Sequence, residues 1–97
     1  MNNNGKAVAV VTGGSRGIGR AICRELAGEK YFVVINFHSN RQAAEETLEM
    51  IGVQGGKGEI SRFDVSNPRE TQEAIKGIIR RHGHIQVLVN NAGITAD

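Results

Sequence analysis

The sequence predicts an α/β protein whose parallel sheet runs in the order 3-2-1-4, with helices on both faces. Three observations carry this expectation. Four short apolar runs alternate with three segments of helical period, the connections between them are short, and the turn after the first run is rich in glycine. Alternating strands and helices bury their apolar sides as parallel strands joined by right-handed crossovers, and that rule gives the strand order.

The first strand covers residues 7–12, which open with Ala-Val-Ala-Val-Val and carry no polar side chain before Thr12. After the glycine turn, Ile18, Ile22 and Leu26 recur every fourth residue. They mark a first helix over 18–29, closed by Gly28 or Lys30. Residues 31–37 are apolar and β-branched, a second strand. His38-Ser39-Asn40 is a polar turn with capping residues, after which Ala43, Ala44, Thr47, Leu48 and Ile51 form one face of a second helix. Gln54-Gly55-Gly56-Lys57-Gly58 reads as a flexible connection to a third strand over 59–65. Ser66-Asn67-Pro68 starts a third helix, with the sole proline in its first turn. Ala74, Ile75, Ile78 and Ile79 supply its buried face, and Gly83 stops it. Residues 85–90 form the fourth strand, which leaves Val87, Leu88 and Val89 at an open sheet edge. The arrangement is of the Rossmann type, an incomplete doubly wound domain, since complete ones run to about 200–250 residues.

Ninety-seven residues suffice for one small domain. The net charge of +2 comes from interspersed charges, with Arg80-Arg81 the sole adjacent basic pair, which argues against a nucleic-acid partner. No run approaches the roughly 18 apolar residues of a membrane span, and residues 1–4 lack the pattern of a signal peptide, so a cytoplasmic protein without membrane contact is expected. Cys23 is the sole cysteine, which excludes an internal disulfide and suits a small buried side chain. No metal site is expected. His82 and His84 flank Gly83, where an imidazole favours a helix C-terminus, and neither they nor His38 have a thiol or carboxylate beside them in sequence.

The stretch Thr12-Gly13-Gly14-Ser15-Arg16-Gly17-Ile18-Gly19 lies between strand and helix. Such a turn aims backbone N–H groups and the positive helix end at one spot, where a dinucleotide pyrophosphate can sit. Gly13 permits the tight turn, Gly17 lets phosphate approach the backbone, and Gly19 lets the helix pack closely. Ser15 and Arg16 add side-chain donors, and Ile18 adds its N–H. Ligands of open parallel sheets lie beyond the carboxyl ends of the strands, so this turn, Phe37-His38, Asp64-Val65 and residues 90–93 should converge on one crevice. A site for NAD carries a carboxylate at the end of the second strand; Asn36, Phe37 and His38 offer none. With Arg16 and Arg41 nearby, that absence points to NADP(H). Both arginines also fit the role of ordinary solvated surface charges.

Thr-Gly-x-x-x-Gly-x-Gly at residues 12–19, Asp64-Val65 and Asn-Asn-Ala-Gly at residues 90–93 occur in the order and spacing of the short-chain dehydrogenase/reductases, which the chain resembles from Lys6 onward. Gly-Ser-Arg-Gly-Ile-Gly and Asn-Asn-Ala-Gly-Ile-Thr are most similar to the 3-oxoacyl-acyl-carrier-protein reductases and acetoacetyl-CoA reductases, although Ala96 stands where those carry a basic residue. The resemblance implies that residues 1–97 are the nucleotide-binding amino-terminal part of one such domain. It implies that Asp64 accepts from the adenine amino group, that the Val65 backbone touches the ring, and that Asn91, Ala92 and Gly93 lie along the nicotinamide-side ribose. Thr12 is implied to tie the glycine turn to the fourth strand. Asp64 equally suits a turn cap, and Asn90 and Asn91 equally suit backbone satisfaction at a strand end.

The implied activity is hydride transfer from NADPH to a 3-oxoacyl thioester, as in fatty acid biosynthesis, by a homo-oligomer, a tetramer when intact. A reductase of another ketone or sugar, or a short module that binds a dinucleotide without chemistry, are the alternatives. The family transfers protons with a Ser and a Tyr-x-x-x-Lys, together with an Asn, all downstream of the matched region. Tyr31 is the sole tyrosine and has Ile35, not lysine, four residues later, so no catalytic residue is expected in this stretch.

Overall fold

The computed structural model describes residues 3–92. Along the chain lie β1 (Val8–Val11), α1 (Gly17–Gly28), β2 (Phe32–Phe37), α2 (Arg41–Val53), β3 (Lys57–Arg62), α3 (Pro68–His82) and β4 (Val87–Val89). All four strands pair in parallel, in the order β3-β2-β1-β4. This is the predicted Rossmann-type sheet.

The central strands β1 and β2 are buried on both faces, which is why their sequences run apolar without alternation. Their side chains nevertheless divide by face, because successive residues of a strand point to opposite sides. Val11, Val33, Ile35 and Phe37 pack with Cys23 and Ala27 of α1 and with Ala44 and Ile51 of α2. Val8, Val10, Phe32 and Val34 pack against Ile78 of α3. Helices therefore cover both faces, two on one side and one on the other. No helix among the described residues is long and apolar enough to cross a membrane.

Several local expectations are corrected. The buried stripe of α1 is Gly19, Cys23 and Ala27, while Ile18 is 62% exposed. Small side chains bring α1 close to the sheet, so close that a Cβ added at Gly14 would stand 2.8 Å from Cys23 Sγ. Burial pushes the Cys23 thiol up to about 12, leaving it un-ionised at neutral pH. The flexible connection shrinks, because Lys57 and Gly58 belong to β3 and pair with Phe32 and Val33. Gly58 is there for close approach: a Cβ would meet the Val33 carbonyl at 2.5 Å. At its other end β3 stops at Arg62, three residues before the expected Val65, because Asp64 begins a turn. On α3, Ile79 is 43% exposed, and the inner stripe runs through Ile75 and Ile78 to His82.

His82 is the largest departure. Its side chain is fully buried, its ring centroid lies 4.7 Å from that of Phe32, and its Nε2 is 3.1 Å from Glu59 Oε1 on β3. Spacing from Ile75 and Ile78 places position 82 on the core side of the helix, and that outweighs the preference of an imidazole for a wet helix end. Gly83 then stops α3 in the left-handed conformation (φ 93°).

Candidate functional site

The turn after β1, residues 38–40 after β2, residues 63–65 after β3 and residues 90–92 after β4 all lie at the carboxyl ends of the strands. They border a cleft of about 280 Å³. Of the predicted site residues, Gly13, Ser15, Arg16, Phe37, His38, Asp64, Val65 and Ala92 line it, joined by Asn36, Ser39, Asn40 and Phe63. Thr12, Gly17, Ile18, Gly19 and Asn91 build the turn and its supports. Gly93 lies outside the described residues.

The glycine turn is held from both sides. Toward β4, the Thr12 N–H donates to Val89 O at 3.0 Å, and the Ala92 N–H donates to Thr12 Oγ1 at 3.1 Å. The Thr12 hydroxyl lies 3.2 Å from Asn90 Oδ1 and 3.3 Å from Val89 O. Asn91, 1% exposed, donates from Nδ2 to Gly13 O at 3.1 Å. Toward β2, the Gly13 N–H donates to Asn36 Oδ1 and the Gly14 N–H to Asn36 O, both at 3.0 Å. Asn36 Nδ2 in turn donates to Phe63 O at 3.0 Å. One buried carboxamide thus fastens the turn to the segment after β3. Sequence reasoning treats Asn36 only as a position without a carboxylate. The available signal is a lone amide in a strand buried on both faces, which must find hydrogen-bond partners.

Two glycines are explained by geometry. Gly17 has φ 61°, and nothing lies within 4 Å of the point where a Cβ would stand. At Gly19 a Cβ would overlap the Gly13 carbonyl and come within 2.7 Å of Asn91 Nδ2, so the helix start is pressed against the turn itself.

The start of α1 differs from the other two helix starts. At α2, Asn40 Oδ1 accepts from the Ala43 N–H at 3.0 Å, and at α3, Asn67 Oδ1 accepts from Arg69 and Glu70 at 3.0 and 3.2 Å. At α1 the N-cap is Arg16 in extended conformation, no side chain caps the turn, and no acidic residue lies in it. The positive helix end is left uncompensated beside the cleft, with the Arg16 charge next to it.

Asp64 serves a turn while facing the cleft. Its Oδ1 accepts from the Ser66 hydroxyl at 2.7 Å and the Ser66 N–H at 2.9 Å, and its Oδ2 lies 3.7 Å from His38 Nε2. The Ser66 bonds, hydroxyl first, hold the carboxyl below its ordinary range. The Arg41 guanidinium lies 5.2 Å from the Phe37 ring centroid, a cation–π contact.

This arrangement can hold an anion at the start of α1 and a flat ring between the ends of β2 and β3. Comparison with known proteins agrees with it. The family model for the short chain dehydrogenases matches residues 7–97. The chain is 43% identical over 88 residues to the short-chain dehydrogenase/reductase homolog YusS of Bacillus subtilis (strain 168), covering 91% of this chain and 81% of that one. It is 43% identical over 89 residues to the 3-oxoacyl-[acyl-carrier-protein] reductase FabG of Staphylococcus epidermidis (strain ATCC 12228 / FDA PCI 1200), covering 92% of this chain but only 36% of the reductase. Among solved structures, a metagenomic short-chain oxidoreductase in complex with NADP superposes with a TM-score of 0.80 at 34% identity, over 84% of this chain and 37% of that one. Motifs, sheet order and these likenesses agree, and the chain belongs to the short chain dehydrogenase family.

Proposed function

We propose that residues 1–97 are the NADP-binding part of an oxidoreductase that reduces a 3-oxoacyl thioester with NADPH. The observation that carries the dinucleotide reading is the uncapped, acid-free start of α1, opening beside a cleft built from all four strand ends. Backbone N–H groups at the start of α1, with Ser15, would hold the pyrophosphate. Asp64 Oδ2 and Val65 would receive the adenine, and Asn91, Ala92 and Gly93 the nicotinamide side. NADP is favoured over NAD because Asn36, Phe37 and His38 place no carboxylate against the additional phosphate, while Arg16 lies in the cleft to meet it. The NADP-bound structural neighbour supports the same choice.

When bound, the cofactor supplies hydride. This stretch supplies grip and orientation, and it does not contain the Tyr-x-x-x-Lys pattern with which the family delivers the proton. The thioester substrate is supported by the likeness to the 3-oxoacyl-[acyl-carrier-protein] reductase, and the proposed setting is a cytoplasmic homo-oligomer. The test is NADPH oxidation by the full-length protein with acetoacetyl thioesters and, in parallel, simple ketones and sugars. Thioester-dependent turnover supports the reading, and turnover confined to the other carbonyls replaces the substrate. A second reading, a short dinucleotide-binding module without turnover, is favoured by YusS, of which this chain covers 81%. It predicts NADPH binding with no oxidation by any carbonyl.

A further inference from the structure

The Ser15 carbonyl, inside the glycine turn, receives two hydrogen bonds from outside it: Arg20 Nη2 donates at 2.8 Å and Thr47 Oγ1 at 2.9 Å. The two donors are themselves joined, since Arg20 Nε donates to Thr47 Oγ1 at 2.9 Å. Arg20 Nη2 also reaches Ala43 O at 2.9 Å and Glu46 Oε1 at 3.3 Å, so the guanidinium is braced on α2. Thr47 is fully buried. A hydroxyl has one proton, and a helical threonine ordinarily donates it to the carbonyl four residues back. Here that carbonyl, Ala43 O, is the more distant acceptor at 3.3 Å, and Ser15 O is the nearer.

The consequence lies on the other side of the peptide. A trans peptide is planar, with its N–H opposite its C=O, and the described chain contains no cis bond. Fixing the Ser15 oxygen on α2 therefore turns the Arg16 N–H away from α2. That N–H has no protein acceptor among the described residues. We propose that Arg20 and Thr47 are positioning residues that lock the Ser15–Arg16 peptide in this orientation, keeping the Arg16 N–H available to the pyrophosphate. Without the lock, rotation of this peptide brings a carbonyl oxygen toward the phosphate, replacing attraction by repulsion. The inference rests on the dinucleotide-binding reading above.

The test uses the full-length protein and two ligands: NADPH, which has a pyrophosphate, and adenosine 2′-monophosphate, which lacks one and is measured by competition against NADPH. Thr47→Val removes the hydroxyl at nearly constant volume, and Thr47→Ser restores it. Losing one charge-assisted or neutral bond to phosphate predicts NADPH affinity about tenfold weaker in Thr47→Val, adenosine 2′-monophosphate affinity within about twofold of wild type, and recovery in Thr47→Ser. Arg20→Met, at a side chain 22% exposed, repeats the test independently of how well Thr47→Val folds. Unchanged NADPH affinity in either variant overturns the lock, and so does an equal weakening of both ligands, which signals a general disturbance of α2. A wild-type protein that does not bind NADPH overturns the dinucleotide reading itself, and this shows before any variant is made.

Discussion

Replacing Gly19 by alanine puts a methyl group where the helix start meets the turn. The added carbon would stand 2.8 Å from the Gly13 carbonyl carbon and 2.7 Å from Asn91 Nδ2, whereas ordinary contact begins at 3.4 Å. The Gly13 carbonyl oxygen is nearer still, so the turn and helix must separate by more than about 0.7 Å, the difference between 3.4 and 2.7 Å, and the Asn91 to Gly13 hydrogen bond is strained as well. Overpacking of this kind costs about 1–3 kcal/mol, and for a domain of this size each kcal/mol lowers Tm by about 4–8 °C. Gly17→Ala is the control for the melt without NADPH only, since Gly17 itself borders the proposed phosphate site. Its methyl meets no atom within 4 Å, and only the left-handed backbone (φ 61°) opposes it, at about 1–2 kcal/mol. Thermal melts with and without NADPH separate the two effects. Gly19→Ala should lower Tm and lose the shift that NADPH gives, because the turn itself has moved. A Gly19→Ala protein that melts with the wild type and keeps its full NADPH shift would refute the close-approach reasoning.

Other positions give distinct expectations. Asn36→Ala leaves the Gly13 N–H and Phe63 O without their partner in a buried setting, and should destabilise by about 2–4 kcal/mol in urea unfolding; a loss below about 0.5 kcal/mol contradicts the bridging role. Lys30 occupies a left-handed conformation (φ 76°) that favours glycine. Lys30→Gly should therefore raise stability by about 0.5–1 kcal/mol, read as a higher urea midpoint, and a lower midpoint would argue against strain there. The Asp64 carboxyl is held below its ordinary 3.8 by Ser66, so its contribution is present above that value and is lost as pH falls through the depressed one. Asp64→Asn should melt below wild type at pH 6, with the gap closing as the pH drops under 3.8; a gap independent of pH would exclude the carboxylate as its source.

Much of this molecule was legible because its signals are local. Apolar runs, the helical period of residues 43–51, the Asn67-Pro68 start and the Gly83 stop each describe their own neighbourhood, and the sheet order follows from the crossover rule. What the sequence hid depends on what stands across the fold. Gly58 looks like linker, but it is a strand residue facing the Val33 carbonyl. His82 looks like a helix-end imidazole, yet Glu59 and Phe32 wait for it on the sheet. Ile18 lies outside while Cys23 is buried as expected, because small residues, Gly19, Cys23 and Ala27, set the distance between α1 and the strands. At the site, the motif residues could be read off, whereas Asn36, Arg20 and Thr47 could not. Asn36 and Thr47 reach the turn across 23 and 32 residues of sequence, Arg20 ties Ser15, five residues before it, to Ala43, 23 residues after it, and no glycine pattern announces these contacts.

The central claim is that the cleft at the start of α1 takes NADP(H). The most direct measurement is titration calorimetry of the full-length protein with NADPH and NADH under identical buffer and salt. With Arg16 in the cleft and no carboxylate at residues 36–38, the account predicts NADPH binding at least about tenfold tighter, the worth of one charge-assisted contact. Equal dissociation constants would contradict the phosphate preference, and no heat from either would contradict the dinucleotide site.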